Sequence, residues 1–273
     1  MSGTRKNRID AAFERARSEK RAALIVFVTA GDPDLETTAE LVTELAAAGA
    51  DIVELGIPHS DPIGEGPTIQ ISSQRALARH TTLREILDLV RRVRPVCDAP
   101  IVLMGYLNNV LAHGEERLAK DAAAAGADGL IVADVPFEET AALSRACTEQ
   151  GIARVLLVAP TSTPERTVRI AAASRGFVYC VSVTGVTGAR RELPADLAHL
   201  VARIRRVTAT PVCVGFGVST PEQAAQVARL ADGVIVGSAI VSRIDAAPSR
   251  EGAIRAAREF VAELSSAVRS ARA

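Results

Sequence analysis

The chain reads as a (β/α)8 barrel, the TIM-barrel architecture. Eight short β-branched runs alternate with Ala-, Leu- and Arg-rich segments of helical period, and several helix-to-strand junctions repeat nearly the same text. Continuous apolar strands separated by helices describe a parallel sheet covered on its outer face, and eight such units close most naturally on themselves. A doubly wound open sheet is the competing arrangement.

A basic leader, Met1 to Arg8, runs into the amphipathic segment Ile9 to Lys20, which predicts an extra N-terminal helix ahead of the barrel. The strand-like runs are Leu24–Thr29, Ile52–Leu55, Ile101–Met104, Leu130–Ala133, Val155–Val158, Phe177–Val181, Val212–Val214 and Val234–Val236. Three junctions share a pattern: Ala48-Gly-Ala-Asp51, Ala125-Gly-Ala-Asp128 and Leu230-Ala-Asp-Gly233, the first two placing Gly at a helix C-terminus. Helix starts are marked by Thr81-Thr-Leu-Arg-Glu85, Ser162-Thr-Pro-Glu165 and Ser219-Thr-Pro-Glu222, which combine cap hydroxyls with an early acid and, in two of them, Pro near the first turn. Two connections exceed what a βα loop needs: Ile57 to about His80 after the second strand, and Ser182 to Pro194 after the sixth. Both follow strand C-terminal ends, where barrel active sites gather.

With 273 residues and 48% hydrophobic content, the chain has enough apolar material for one barrel domain spanning residues 1–273. Acidic and basic residues balance at 32 each, so the charge total points to no nucleic-acid or membrane surface. Cys97, Cys147, Cys180 and Cys213 form no close pair, which predicts reduced thiols and a cytoplasmic protein. No secretory leader or bilayer-spanning run is expected.

Glu54 is the residue that points to chemistry. It sits among Ile52, Val53 and Leu55 at the end of a buried strand, where an unpaired carboxylate is costly and either pairs or takes up a proton. Glu65 follows in the first long loop. Gly215-Phe216-Gly217 after the seventh run and Gly237-Ser238 after the eighth, with Gly188, predict a phosphate cup built on backbone N–H groups. Other chemistries lack their residues. Lys6, Lys20 and Lys120 lie in the leader or on helices, so a Schiff-base aldolase has no nucleophile, and His59, His80, His113 and His199 show no metal-ligand spacing. Gly215-Phe-Gly-Val-Ser-Thr220 lacks the third glycine of a dinucleotide fingerprint. Carboxylate chemistry on a phosphorylated substrate remains.

Phe27-Val-Thr-Ala-Gly-Asp-Pro33, Glu54-Leu-Gly-Ile-Pro58, Ser60-Asp-Pro62, Gly66-Pro-Thr-Ile-Gln70, Ala133-Asp-Val-Pro136, Gly185-Val-Thr-Gly188, Gly215-Phe-Gly217 and Gly237-Ser-Ala-Ile240 together resemble the tryptophan synthase alpha subunit family through nearly the whole chain. The resemblance implies a barrel that splits indole-3-glycerol phosphate into indole and glyceraldehyde 3-phosphate and assembles with a beta subunit as α2β2. Pyridoxal phosphate is then expected only in that partner, with no cofactor or metal in this chain. It implies that Glu54 is the principal acid/base and that Glu65, where the family commonly has Asp, hydrogen-bonds the indole N–H. Phe27 and Tyr179 would line the indole pocket with Tyr106 nearby. Gly188, Phe216, Gly217, Gly237 and Ser238 would hold the phosphate, Thr187 would help order the site on closure, and Asp61 would face Thr187 across the first loop. His59 replaces an aromatic common at its place, and Val26 stands where Pro is frequent. A self-sufficient lyase releasing indole, or a weakly active or non-catalytic activator of a beta subunit, would carry the same motifs.

Overall fold

The computed structural model describes residues 7–181, 196–215 and 217–272. Among these residues lie nine parallel strands, all but the adjacent fifth and sixth separated by helices: β1 (Ala23–Thr29), β2 (Ile52–Gly56), β3 (Ile101–Gly105), β4 (Gly129–Val132), β5 (Ala153–Arg154), β6 (Leu156–Val158), β7 (Val178–Val181), β8 (Val212–Gly215) and β9 (Gly233–Val236). Their order is β5-β4-β3-β2-β1-β9-β8-β7-β6. The two ends of that order, β5 and β6, are one segment interrupted only at Val155. Ala153 and Arg154 pair with β4, and Leu156 to Val158 pair with β7. The fifth predicted run is therefore the seam that closes an eight-stave barrel.

Period-two alternation divides the strand residues between two cores. Leu24, Val26, Val53, Leu55, Leu103, Leu130, Val178, Val214 and Val234 face the helices, while Ile25, Phe27, Ile52, Val102, Ile131, Val155, Tyr179, Cys213 and Ile235 fill the barrel. Because both faces are buried, the strands read as unbroken apolar runs. All four cysteines are buried and free.

The helix Arg8–Ser18 joins the inner core. Ile9, Ala12, Phe13 and Ala16 are buried with the barrel-filling side chains, and Phe13 meets Phe177 at 5.9 Å between ring centroids. Asn7 caps this helix at Ile9 N–H and donates to the carbonyls of Asp128 and Gly151, which fixes the helix across the strand N-terminal ends.

The three repeated junctions share a second device. At each, the aspartate that precedes one strand accepts the N–H of the first or second residue of the neighbouring strand and pairs with arginine. Asp51 accepts from Leu24 N–H at 2.9 Å and holds Arg21 in a fork at 2.6 and 2.8 Å. Asp128 takes Ile101 N–H at 2.9 Å, with Arg94 and Arg8 at 3.1 and 3.0 Å. Asp232 takes Val212 N–H at 2.9 Å and Arg205 at 2.7 Å.

The predicted helix starts carry their caps: a capping box at Thr82 and Glu85, and hydroxyl caps at Thr163 and Thr220 with Pro at the first turn. One expectation needs correction. The connection after the second strand is not loop from Ile57 to His80, because Pro67–Ala78 is helical, with Gly66 as its N-cap and Ile69, Ser72, Ser73 and Ala76 buried. The loop proper is Ile57 to Gly66. The long connection after the sixth predicted strand lies outside the described residues.

Candidate active site

Glu54 reaches the barrel interior because β2 places it in register with Phe27 of β1 and Val102 of β3, both inward-facing. It is fully buried, and neither carboxyl oxygen has a hydrogen-bond partner among the described residues. Desolvation, with a smaller contribution from the charge of Glu65, pushes its pKa up to about 8. Glu65 is 8% exposed, and burial raises its carboxyl to about 7. Its loop is held by Glu65 N–H donating to the Pro62 carbonyl at 2.9 Å and by Gln70 Nε2 donating to the Glu65 carbonyl at 2.9 Å. Near neutral pH such a pair can hold a proton on one member and a charge on the other, the arrangement that acid and base roles require.

Both carboxyls line one cavity, together with a set of apolar side chains and glycine-rich backbone. Phe27, Ile69, Met104, Tyr179 and Ile235 form its apolar walls. Two of these rings are seated on glycines. A Cβ on Gly56 would come within 2.4 Å of the Phe27 ring, and one on Gly215 within 2.4 Å of the Tyr179 hydroxyl. A side chain at either position would drive a ring into the cavity.

The far end of the cavity is polar backbone. Gly217, with φ +88°, Gly237, Ser238 and Ala239 line it, and the helix Ser238–Asp245 starts there with no side-chain cap on Gly237. Ile240 N–H donates to the Gly237 carbonyl at 2.8 Å, while those of Ser238 and Ala239 have no intrahelical partner by geometry, and the positive end of the helix dipole points the same way, so this end suits an anion. A Cβ at Gly217 would meet nothing within 4 Å, which leaves room beside that backbone.

Of the residues singled out from sequence, Phe27, Glu54, Glu65, Tyr179, Gly217, Gly237 and Ser238 come together around this cavity. Tyr106 lies behind the loop rather than in the wall; its ring stacks on His59 at 4.5 Å and 27°. Asp61 is exposed on the loop, its N–H donating to His59 Nδ1 at 3.1 Å. Thr187, Gly188 and Phe216 fall outside the described residues. Asp134 accepts Leu107 N–H at 2.8 Å, a turn-fixing role. Sequence reasoning missed Ile69, Met104, Val218, Ser219, Ile235 and Ala239. Ile69 and Ala239 lie within motifs already noted, two residues beyond the proline or glycine that drew attention, whereas Met104 and Ile235 become visible only once the sheet register sets which parity faces inward.

Lys20 and Lys120 are exposed, away from the cavity. Among the described residues no three His, Cys, Asp or Glu side chains gather as metal ligands, and no helix is long and apolar enough to cross a membrane.

The family model for the tryptophan synthase alpha chain matches residues 13–269. The tryptophan synthase alpha chain of Geobacter sulfurreducens is 56% identical over 235 residues, covering 86% of this chain and 89% of that protein. That of Caldanaerobacter subterraneus is 47% identical over 258 residues, covering 94% and 98%. Among solved structures, Mycobacterium tuberculosis tryptophan synthase superposes with a TM-score of 0.89 at 40% identity, over 97% of this chain and 99% of that one. The tryptophan synthase alpha subunit of Legionella pneumophila gives 0.90 at 37% identity over the same shares. Matches of this identity, running nearly end to end along both chains, establish that the chain belongs to the tryptophan synthase alpha chain family.

Proposed function

We propose that the protein cleaves indole-3-glycerol phosphate to indole and glyceraldehyde 3-phosphate, as the alpha subunit of a tryptophan synthase in tryptophan biosynthesis. The observation that carries the reading is the unpartnered Glu54 carboxyl, facing the same cavity as Glu65 and the glycine-rich helix N-terminus. The anion end would take the phosphate, and the apolar walls of Phe27 and Tyr179 the indole.

Glu54, protonated at neutral pH, gives its proton to indole C3. The glycerol side-chain hydroxyl on the adjacent carbon then returns a proton to the carboxylate just formed. The C3–carbon bond breaks, its electron pair goes back to the indole ring, and the carbon that bore the hydroxyl leaves as the aldehyde. One carboxyl thus serves as acid and then base, restored at the end of the cycle. Glu65, as the anion, accepts the indole N–H and offsets the positive charge that grows on the ring when C3 is protonated. Its extra methylene relative to Asp is accommodated between Gly64 and Gly66.

The chain would work as one cytoplasmic barrel domain without a cofactor of its own, pyridoxal phosphate belonging to a beta subunit that receives indole. The solved Mycobacterium tuberculosis match is a tryptophan synthase, which supports such an assembly. The test is indole release from indole-3-glycerol phosphate, with and without a beta subunit. Partner-stimulated release supports the proposal, vigorous release by the chain alone makes it a self-sufficient lyase, and no release under either condition overturns the catalytic role.

A further inference from the structure

The helix Pro67–Ala78 carries a line of polar ties that the chemistry above leaves unused. At its start, Gln70 holds the Glu65 carbonyl. Two residues on, Ser72 Oγ donates to the Ile69 carbonyl and lies 2.6 Å from Thr29 Oγ1 at the end of β1, both residues buried. A further turn on, Arg75 meets two carboxylates at once. Its Nε and Nη2 donate to Asp32 at 2.8 and 2.7 Å, a two-point fork, and its Nη1 pairs with Asp245 at 2.8 Å.

Each partner belongs to an element that supplies a wall of the cavity. Asp32, buried, is in the turn that leaves β1, the strand of Phe27. Asp245 ends the helix whose first residues, Ser238 and Ala239, line the anion end. Arg75 is on the helix that continues the Glu65 loop and contributes Ile69. One guanidinium therefore ties the acid-bearing loop to the aromatic wall and to the anion-facing helix. Its planar fork can hold Asp32 at two points while still reaching Asp245, which a lysine ammonium cannot reproduce.

We infer that Arg75 is a positioning residue: its clamp on Asp32 and Asp245 sets the distance between the Glu65 carboxyl and the anion-binding helix end, so that a phosphorylated substrate is held at both ends in register with Glu54. This rests on the reading of the cavity given above. Arg75 does not line the cavity and touches no reacting atom, so its influence passes through Glu65 and the helix Ser238–Asp245.

The test combines steady-state cleavage of indole-3-glycerol phosphate, in the presence of a beta subunit, with native-state amide exchange on the full chain. Well below the unfolding temperature, Arg75→Lys is expected to lower kcat about tenfold and raise KM about threefold, and Arg75→Ala to do more of both. Asp245→Asn, which loosens only the helix, is expected to raise KM roughly threefold with kcat within about twofold. In Arg75→Ala the amides of residues 63–66 and 238–241 should exchange at least about tenfold faster, with those of β4 unchanged. Acceleration spread evenly over the barrel, or none at the two named segments, overturns the inference, as does turnover within twofold of wild type for both Arg75 variants. Should wild type cleave nothing while the two segments still loosen selectively, the functional reading falls and the clamp stands.

Discussion

The two ends of the barrel treat carboxylates in opposite ways. At the strand N-terminal end, Asp51, Asp128 and Asp232 each accept a neighbouring strand's N–H and pair with arginine. At the C-terminal end, Glu54 and Glu65 are buried with no ion pair among the described residues, and Glu54 with no hydrogen bond. The first arrangement ties neighbouring strands in register, while the second leaves two carboxyls buried without a charged partner, which raises the pKa of each. On the proposed function, stability and chemistry fall to opposite rims of one sheet, and the contrast predicts opposite responses to substitution.

The largest effect belongs to Glu54→Gln, which should cut kcat by about 10³-fold or more while leaving the fold intact, read as indole release. The same change should stabilise the protein. A carboxyl whose folded pKa is raised to about 8 makes the native state less stable as pH climbs from the ordinary carboxylate range through 8, and the amide does not titrate. The advantage of Glu54→Gln in unfolding free energy, read by denaturant titration, should therefore widen from pH 5 to pH 8, to roughly 2–4 kcal/mol. An advantage that does not grow with pH would mean that Glu54 is not held neutral by burial.

Asp51→Ala should do the reverse, costing about 3–5 kcal/mol in denaturant unfolding because Arg21 loses its buried partner, with kcat within about twofold below the transition. A comparable fall in kcat would erase the division between the rims. Gly217→Asp puts a negative charge beside the anion end, and KM should rise about a hundredfold; because the φ of +88° at Gly217 favours glycine, the change also lowers Tm, so KM is read well below the transition, and an unchanged KM would move the phosphate elsewhere.

The smaller effects concern Glu65. Glu65→Asp should keep kcat within about tenfold of wild type, and a deeper loss would show that the loop is fitted to the longer side chain. On the roles proposed for them, Glu54 protonated and Glu65 ionised, kcat/KM should trace a bell with limbs near 7 and 8, and Glu65→Gln should remove the acidic limb.

Glu54 was legible in the sequence because a charge inside an apolar run is an anomaly at the level of single residues. The eight strands were legible for the converse reason: burial on both faces leaves no polar alternation, and repeated junction text fixes their spacing. The helix Pro67–Ala78 was not, since its cap is a glycine without a side-chain bond and Thr68, Ile69, Ile71, Ser72 and Ser73 are modest helix formers. Met104 and Ile235 escaped because inward or outward facing depends on a register that only the folded sheet defines. The arginines of the N-terminal rim stayed hidden likewise, for Arg8 and Asp128 are 120 residues apart.

The helix Arg8–Ser18 stoppers the barrel floor with Ile9 and Phe13 against its lining. Among the described residues the floor is closed by this helix, and the cavity that holds Glu54 and Glu65 lies toward the strand C-terminal end. On the proposed function, a beta subunit seated over that rim would face the cavity directly, and an apolar product could pass to it without meeting bulk water.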